Sequence, residues 1–414
     1  MGCCDTPGLK PIESALAEML DAVSPCTQVL SVTLDDAIGC TLAEPIHSPM
    51  SVPPFNNSAM DGYAFRQQDC AEGAALPLVG KAFAGAPFEG PLPRGACVRI
   101  MTGAPIPQGA DTVEMQENTH VEQTDQGQCI TFLKATREGQ NVRLAGEDIS
   151  QGQRLFDSGH ILRGRDIPLL ASLGIAQLNV FAPLKVAIFS TGDELQHLGT
   201  PLGPGQIYDS NRYCLRAILS RLNVEVIDFG VIADDPAQLT QTFLQADQQA
   251  DVVITSGGVS VGEADYTKEI LEQIGEIGFW KLAIKPGKPF AFGKLANSVF
   301  FGLPGNPVSA LVTLNQLAIP VMLKMAGACA LKPTRLTASV CHPLRKTPGR
   351  TDFQRGIYYV NSAGEIEVTS TGSQGSGVFS AMSKANCFII LEQDRGNVAA
   401  DEKVTIELFA DYLN

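Results

Sequence analysis

The sequence has few residues of the kinds that build metal centres. Among its 414 residues are 11 cysteines, no two of them in a C-x-x-C pair, and only 5 histidines. The histidines show no ligand spacing and stand at His47, His120, His160, His197 and His342. Structural zinc sites use closely spaced cysteines and histidines, so this pattern excludes the common zinc-binding motifs. It favours reduced thiols that mostly fill the core.

Positive charge is also scarce. The chain has 30 Lys and Arg against 44 Asp and Glu, which gives a formal net charge of −14. Such a chain lacks the basic surface that broad nucleic-acid binding requires, so we expect no nucleic-acid partner. An anionic substrate would have to be held by a local group of cations, against the field of the whole protein.

Clean hydrophobic runs of membrane-spanning length are missing as well. The apolar segment Val308–Met322 is interrupted by polar residues such as Asn315 and Gln316, which argues against a membrane span. The start Met1–Cys4 fits a short myristoylation pattern, but no basic segment follows it and the pattern alone is a weak signal. We therefore expect a cytoplasmic protein without a membrane partner.

The most informative stretch runs from Ala250 to Ile270. Residues 251–255 are rich in β-branched side chains, which predicts a buried parallel strand. Ser256, Gly257 and Gly258 follow, where the chain can turn tightly and present bare backbone N–H groups. After Gly262 the apolar residues take helical spacing. A strand, a glycine loop and a helix N-terminus together are typical of an anion site, and phosphate would suit it.

Asp265 lies beside this predicted anion site. A carboxylate next to a phosphate needs a cation between them, so Asp265 indicates Mg²⁺. On these residues alone, the alternative that the glycines merely turn the chain stays open.

The rest of the chain predicts an α/β multidomain protein, because 414 residues suggest roughly two to four domains. An amphipathic helix over Pro11–Val23 must pack either on the rest of the chain or on a second subunit. Further helices are predicted over Leu34–Leu42 and Arg165–Leu173. We assign these helices to one helical, dimerisation segment made of residues 1–50 and 146–182.

Three further domains are predicted around this segment. Short β-like runs separated by turns indicate a small inserted β domain over residues 51–145. Strands alternate with helices over residues 183–328, which predicts an open, mostly parallel sheet whose ligands bind beyond the carboxyl ends of the strands. Five short strands over residues 329–414 predict a barrel-like C-terminal β domain.

Five motifs occur in this order along the chain: SAMDGYA at Ser58–Ala64, STGDEL at Ser190–Leu195, SGGVSVGEADY at Ser256–Tyr266, KPGKP at Lys285–Pro289 and GLPGNP at Gly302–Pro307. Together they resemble the molybdopterin molybdenumtransferase family, the bacterial MoeA type of which the gephyrin E domain is the eukaryotic relative. The resemblance covers essentially the whole chain from about Ile12. It is far more specific than the strand–loop–helix pattern alone.

The resemblance implies a reaction and a set of site residues. The reaction is insertion of molybdate into the dithiolene of adenylated molybdopterin, with Mg²⁺ and with release of AMP. The implied catalytic residues are Asp61, Thr102, Asp148, Glu194, Asp234, Asp265, Lys281 and Lys285, with Mg²⁺ on Asp265 and Glu194. The implied substrate-binding residues are Ser256, Gly257, Gly258, Ser260, Gly262, Lys288, Pro304, Pro307, Arg355 and Ser376.

The resemblance also implies partners. It predicts a homodimer with the active site between subunits, and transient contact with other proteins of molybdenum cofactor biosynthesis.

Several of these residues have a plainer interpretation when the residues are taken alone. Asp61 precedes a glycine in a loop, where Asp is usually a turn residue. Adjacent acids such as Glu147 and Asp148 are most often plain surface, and lysines in a hairpin often mark a solvated edge. Strand alternation predicts that Lys281 and Lys285 share one face.

Three alternative functions differ in class. A scaffold or carrier could keep the molybdopterin-binding fold without turnover. A molybdopterin adenylyltransferase shares the α/β domain but usually lacks flanking domains. An oxidoreductase would need a G-x-G-x-x-G motif after a first strand, and SGGVSVG has different spacing.

Overall fold

The computed structural model describes residues 8–71, 73–258, 266–329 and 332–413. The predictions made for Ser260, Gly262 and Asp265, and for the start Met1–Cys4, lie outside the described residues.

The helices, in chain order, are α1 Ile12–Ala22, α2 Ile167–Ser172, α3 Asn211–Leu219, α4 Pro236–Gln249, α5 Tyr266–Ile274, α6 Pro307–Thr313, α7 Ile319–Met325 and α8 Phe379–Lys384. A π-helical turn, Leu314–Ala318, joins α6 to α7. Short 3₁₀ turns cover Leu34–Asp36, Gln67–Asp69 and Gln116–Asn118.

The strands up to residue 181 are β1 Val29–Thr33, β2 Ile46–His47, β3 Asn57–Ser58, β4 Gly62–Phe65, β5 Ala75–Ala82, β6 Cys97–Ile100, β7 Thr112–Met115, β8 Thr119–Thr124, β9 Gly127–Phe132, β10 Val142–Arg143, β11 Arg154–Phe156 and β12 Gln177–Phe181. Those that follow are β13 Leu184–Thr191, β14 Leu195–Gln196, β15 Ile207–Tyr208, β16 Val224–Ile232, β17 Val252–Ser256, β18 Glu276–Lys281, β19 Ile284–Lys285, β20 Pro289–Lys294, β21 Val299–Leu303, β22 Arg335–Val340, β23 Thr351–Val360, β24 Ile366–Ser370, β25 Cys387–Leu391 and β26 Lys403–Leu408.

The chain folds into two compact units. The first, called here the main unit, contains Met1–Glu44, Ser158–Ile167 and Gln177–Asn414. The second, called here the inserted unit, contains Pro45–Asp157 and Pro168–Ala176. These boundaries differ from the predicted ones, since residues 45–50 and 146–157 belong with the β insertion. The physical reason is backbone pairing, because Val52 of the predicted insertion pairs with Ile149 of the predicted helical segment, and β2 and β11 pair with each other beside this bridge.

The main unit contains a six-stranded sheet in the order β16-β13-β17-β21-β20-β18. The four strands β16, β13, β17 and β21 are parallel, and β20 and β18 continue the sheet as an antiparallel hairpin. Strand β17 is buried along its whole length, as its run of β-branched residues predicts. Separate hydrophobic clusters cover the two faces of the sheet. The prediction of an open, mostly parallel α/β sheet is confirmed.

The prediction that Lys281 and Lys285 share one strand face is wrong. Lys281 ends β18 in the α/β sheet, whereas Lys285 lies in β19, which pairs with β23 of a different sheet. The chain leaves the first sheet through Leu282 and Ala283, both fully buried. Strand alternation cannot be counted across such a break, because the alternation depends on one continuous pleat.

The C-terminal strands close into a barrel. Strand β24 pairs with β22, β22 pairs with β26, and β26 pairs with β25. Strand β23 pairs with both β24 and β25 and so completes the ring. Closure leaves none of these five strands as an open edge. The barrel-like prediction is confirmed, and all five predicted strands are present.

The inserted unit is built on a second six-stranded sheet, in the order β7-β4-β6-β5-β9-β8. All neighbouring pairs are antiparallel except β5 with β6. Separate hydrophobic clusters cover the two faces of this sheet, one containing the fully buried Val98 and the other the fully buried Phe65. The β-like runs of the sequence therefore do form a small β domain.

Helix α1 packs inside the main unit. Ile12, Ala15 and Met19 are buried in the same cluster as residues of α7 such as Val321, and the backbone N–H of Cys26 donates to the carbonyl of Met325 over 2.6 Å. Of the two alternatives for the amphipathic stripe, packing on the rest of the chain therefore accounts for it. The helix predicted over Leu34–Leu42 is wrong, because only a 3₁₀ turn forms there.

The continuous helical stretch Pro307–Met325 is long and apolar enough to cross a membrane by length and composition alone, yet 83% of its most apolar window is buried inside the protein. This is the behaviour of a core helix.

We predict that Met19→Ala destabilises the main unit. Met19 is fully buried, and truncating a buried methionine costs about 2–5 kcal/mol of unfolding free energy. Trp280, the only tryptophan of the chain, packs on the same cluster, so its fluorescence during urea titration reports the transition. The exposed Glu13→Ala on the same helix is the control and should change stability by less than about 0.5 kcal/mol. Equal shifts for both variants would contradict this packing.

Candidate functional site

Three loops of the main unit converge where the parallel strands end. Strand pairing sets Ser190, Ser256 and Leu303 side by side at this edge. The backbone N–H of Gly257 donates to the carbonyl of Leu303 over 3.2 Å. Asn211, at the start of α3, joins two of the loops, since its Nδ2 lies 2.7 Å from both the Ser256 hydroxyl and the Gly305 carbonyl.

The loop after β17 has no room for side chains. Gly257 and Gly258 have φ of +96° and +66°, a backbone conformation that other residues rarely adopt. A Cβ at Gly257 would lie 2.6 Å from the Thr191 carbonyl, and one at Gly258 would lie 2.4 Å from the Thr267 hydroxyl. The backbones therefore approach so closely that only glycine fits. Bare backbone of this kind is what an anion-binding loop requires.

Two buried polar atoms beside this loop have no hydrogen-bond partner among the described residues. They are the Thr191 hydroxyl and the Asn211 side-chain carbonyl. A buried polar atom without a partner is costly, and at a functional site such an atom is available to a ligand. The edge of the sheet thus offers both a donor or acceptor hydroxyl and a carbonyl acceptor.

A buried ion-pair network holds α3, and hence Asn211, in place. Nε of Arg212 donates to Asp209 over 2.9 Å, and a terminal nitrogen of Arg212 donates to Asp228 over 2.6 Å. The Ser190 hydroxyl donates to Asp209 over 3.1 Å. This network links the end of β13 and the middle of β16 to the first turn of α3. Every charge in it is paired, as buried charges must be.

Three exposed acids lie at the same edge. The backbone N–H of Asp234 donates to the Asp193 carboxylate over 3.1 Å, and the Glu194 carboxylate folds back over Gly192. Partial burial raises the pKa of Asp234, and the charges of Asp193 and Glu194 raise it further. Mutual repulsion of this kind favours a bound cation, whose charge would lower the pKa of Asp234 again.

The described residues contain no group of three or more His, Cys, Asp and Glu side chains placed to hold a metal ion. Glu194 is described, and Asp265 is not. A Mg²⁺ ion is often held by one or two carboxylates together with substrate phosphate oxygens and water, and this acidic edge fits that mode of binding.

The three predicted lysines have different surroundings. Lys281 is exposed, and Lys288 is half-buried. Lys285 forms an ion pair with Asp352, its Nζ donating over 3.1 Å. All three lie between the end of β18 and the start of β20. This connection therefore has a local concentration of positive charge within an acidic protein.

Arg355 and Ser376 belong to the barrel side of the main unit. The Arg355 side chain is fully buried, and one terminal nitrogen donates to the Gly375 carbonyl over 3.1 Å. The Ser376 carbonyl accepts from the backbone N–H of Val308 over 3.1 Å. This segment therefore touches the start of α6, next to the GLPGNP loop. Nε of Arg355 has no partner among the described residues, which leaves one buried donor free.

The two prolines of the GLPGNP loop have structural positions. Pro307 is the first residue of α6, a position for which its fixed φ and missing N–H are suited. Pro304 is buried directly after β21. Both prolines therefore restrict the backbone of this loop.

In the inserted unit, Asp61 and Thr102 form a close pair. The backbone N–H and the hydroxyl of Thr102 each donate to the Asp61 carboxylate over 2.7 Å. These bonds lower the pKa of Asp61, the backbone bond contributing most, and nearby Arg99 lowers it further. The Asp61 carboxylate is exposed, ionised and fixed in orientation. It is more than a simple turn residue, because the pair joins two loops that are far apart in sequence.

Glu147 and Asp148 separate into two roles. The Glu147 carboxylate accepts from the backbone N–H of Leu144 over 2.9 Å and closes a turn. Asp148 is exposed, and its carboxylate has no hydrogen bond or ion pair with another described residue. Of the two acids, Asp148 is therefore the one available to a ligand.

Sequence reasoning missed Thr191, Asn211 and Thr267, which complete the surroundings of the glycine loop. Thr191 lies inside the STGDEL motif at Ser190–Leu195, but the motif alone assigns it no role. Asn211 lies 45 positions before Ser256, so no local spacing connects the two.

The fold and the converging loops define a multidomain α/β protein whose sheet has, at its carboxyl edge, a glycine loop of the kind suited to an anionic ligand. Models of known families cover nearly the whole chain. Residues 10–174 match the MoeA N-terminal region (domain I and II), residues 187–324 match a probable molybdopterin binding domain, and residues 337–409 match the MoeA C-terminal region (domain IV).

Individual proteins agree with these models. A molybdopterin molybdenumtransferase of Haemophilus influenzae is 51% identical over 96% of this chain and 98% of its own length, and one of Nostoc is 34% identical over 91% and 87%. The crystal structure of a molybdopterin biosynthesis moeA protein from Pyrococcus horikoshii OT3 is 29% identical, with a TM-score of 0.84 over 97% of this chain and 100% of that one. The chain belongs to the MoeA family of molybdopterin molybdenumtransferases, enzymes of molybdenum cofactor biosynthesis.

We predict that Gly257→Ala abolishes most activity. The added Cβ would meet a backbone carbonyl that cannot move aside, and displacing a loop by about 1 Å can cost about 100-fold in rate. The readout is kcat/KM for molybdenum transfer, with circular dichroism to confirm folding. Gly205→Ala is the matched control, since Gly205 also has positive φ (+80°) but nothing within 4 Å of an added Cβ. If both variants lose activity equally, backbone strain rather than crowding is the cause.

Proposed function

We propose that this enzyme inserts molybdate into the dithiolene of adenylated molybdopterin and releases AMP, in a Mg²⁺-dependent reaction. The observation that carries the proposal is the convergence of three loops on a side-chain-free backbone at Gly257. A phosphoanhydride needs N–H donors and cations around it, and this edge supplies both.

The roles of the main-unit residues follow from their chemistry. Ser256 and Gly258 would bind phosphate through hydroxyl and backbone N–H groups, and Gly257, whose own N–H donates to the Leu303 carbonyl, would let the ligand approach the backbone closely. Lys281, Lys285 and Lys288 would neutralise anionic oxygens of adenylated molybdopterin or molybdate. Arg355 and Ser376 would contribute from the barrel side, where a buried guanidinium N–H is free. Ser260 and Gly262 are proposed for the same phosphate site from the resemblance alone.

Mg²⁺ would be held by Glu194 and Asp265, close to Asp234. When bound, the ion supplies charge stabilisation for the departing phosphate oxygens. The part of this that the described residues support is the accumulation of negative charge on Asp193, Glu194 and Asp234, which raises the pKa of Asp234.

The acids of the inserted unit would act on the same substrate. Asp61 is ionised and oriented by Thr102, and Asp148 is exposed without a partner among the described residues. Each suits a role as a general base or as a ligand to an electrophilic centre. We further propose that the enzyme is a cytoplasmic homodimer with active sites between subunits, and that it contacts other cofactor-biosynthesis proteins transiently.

The test gives purified protein adenylated molybdopterin, Mg²⁺ and molybdate, and measures AMP release together with molybdenum bound to the pterin. We expect AMP release that requires molybdate and leaves metal on the pterin. Tight pterin binding without AMP release would indicate a carrier or scaffold instead. Formation of adenylated molybdopterin from ATP and molybdopterin would indicate an adenylyltransferase.

We predict that Asp234→Asn stabilises the metal-free protein at neutral pH. Because the pKa of Asp234 is raised above its usual 3.8 in the folded state, folding is penalised once this carboxyl ionises as pH rises. Removing the charge relieves the penalty above the raised pKa, and the gain vanishes below pH 3.8, where the carboxyl is protonated in both states. The gain is small, under about 1 kcal/mol, because these side chains are exposed.

Thermal melting at pH 7 measures this effect, with and without Mg²⁺. Mg²⁺ should raise the melting temperature of the wild type more than that of Asp234→Asn. Asp235→Asn is not a suitable control, since Asp235 caps α4; the exposed Asp125→Asn in the inserted unit serves instead. Equal Mg²⁺ effects on wild type and Asp234→Asn would remove Asp234 from the cation site.

A further inference from the structure

The start of barrel strand β23 places a buried acid opposite Lys285. Parallel pairing of β19 with β23 sets Lys285 against Asp352 in register. Nζ of Lys285 donates to the Asp352 carboxylate over 3.1 Å, and Nε2 of Gln354 donates to the same oxygen over 3.2 Å. The Asp352 side chain is 2% exposed and that of Lys285 is 41% exposed. A buried anchor thus holds a cation that stays open to solvent.

Asp352 also offsets a local excess of positive charge. Nζ of Lys346 is held by the carbonyls of Thr347 and Gln393, over 2.9 and 3.3 Å, and the charge of Lys285 acts on it unfavourably. Arg355 is buried three positions further along the same strand. Removing the Asp352 charge would leave these cations to repel one another, and Lys285 is the exposed one that can move away.

An anchored lysine is a better anion ligand than a free one. A lysine side chain has about 2 kcal/mol of rotamer entropy to lose when it is fixed. The pairing with Asp352 fixes it before any ligand arrives. The ammonium group has three N–H donors, so the bond to Asp352 leaves the others for an anion.

We propose that Asp352 is a positioning residue, which holds the Lys285 ammonium in place for the anionic substrate without touching that substrate itself. The inference rests on the proposed function, in which Lys285 binds an anionic oxygen. Asp352 belongs to the C-terminal barrel, and it acts on the α/β site through its ion pair with Lys285, which bridges β23 and β19.

The barrel contains a matched control. Glu407 is also buried, at 2% exposure, and it too pairs with one cation and one glutamine amide. Arg335 donates to it over 3.0 Å, and Nε2 of Gln316 donates over 2.5 Å. Asp352→Asn and Glu407→Gln therefore remove the same kind of buried charge from the same barrel, but only the first removes a partner of Lys285.

The kinetic test measures AMP release by the wild type, Asp352→Asn, Glu407→Gln, Lys285→Met and the double variant Asp352→Asn/Lys285→Met. We expect Asp352→Asn to lower kcat/KM about 10- to 100-fold, the range for loss of a hydrogen bond to a charged group. Most of the loss should be a higher KM for adenylated molybdopterin, because Lys285 binds a charge that the substrate already carries. Adding Asp352→Asn to Lys285→Met should change kcat/KM less than twofold, and Glu407→Gln should leave it unchanged.

A second measurement does not depend on turnover. Acylation of individual lysines by an N-hydroxysuccinimide ester, followed by peptide mass spectrometry, reports how firmly each Nζ is held. Lys285 should react several-fold faster in Asp352→Asn than in the wild type, while Lys281 and Lys288 should not change. In Glu407→Gln, Lys285 should react at the wild-type rate.

Each outcome either supports or overturns the assignment of Asp352 as a positioning residue. Unchanged Lys285 acylation in folded Asp352→Asn overturns the proposal, as does an equal loss of kcat/KM in Glu407→Gln. Faster Lys285 acylation with no AMP release from the wild type would leave the ion pair standing and reject the proposed function. If Asp352→Asn does not fold, the acylation rates are compared within the wild type. Lys285 should then be acylated several-fold more slowly than Lys281. Equal rates for the two lysines would overturn the proposal.

Discussion

The close approach of backbones at the carboxyl edge of the sheet is the constraint on which the site depends. Gly257 lies so near the end of β13 that a single methyl group would collide with the Thr191 carbonyl at 2.6 Å. That proximity requires four parallel strands in fixed register and a buried network around Arg212 that holds α3 against them. The interior of the sheet thus determines the geometry of a loop that contains almost no side chains.

The regular elements were predictable because their signals are local. Strand β17, Val252–Ser256, lies within one residue of the predicted 251–255, since a run of β-branched residues ended by polar residues and glycine defines it without reference to other parts of the chain. The barrel strands were predictable for the same reason. The failures occur where a tertiary contact decides. Lys285 lies in a different sheet from Lys281, and no period in the sequence reports that the chain changes sheets at Leu282.

The candidate site was predictable to the same extent. The glycines of SGGVSVG and the Asp61 loop stand out because turn chemistry and motif order mark them. Asn211 and Asp352 do not stand out, because their roles come from contacts to residues 45 and 67 positions away. The contacts of Asn211 depend on where α3 lies, and the contact of Asp352 with Lys285 depends on how the barrel closes. Each is specified by the fold as a whole, so each became visible only when the fold was known.

The acids of this protein divide into two electrostatic classes, and the division separates scaffold from site. Glu114 and Asp247 are buried and satisfied by neutral donors, Glu114 by Asn118 and Gln140, Asp247 by the backbone and side chains of residues 297 and 298. Such carboxylates fix loops and are too deeply buried to meet a ligand. The Asp193, Glu194 and Asp234 carboxylates are exposed, gathered together and mutually repelling. This repulsion between carboxylates is an energetic cost, and a bound cation is the chemical species that would remove it in the Mg²⁺-dependent reaction proposed above.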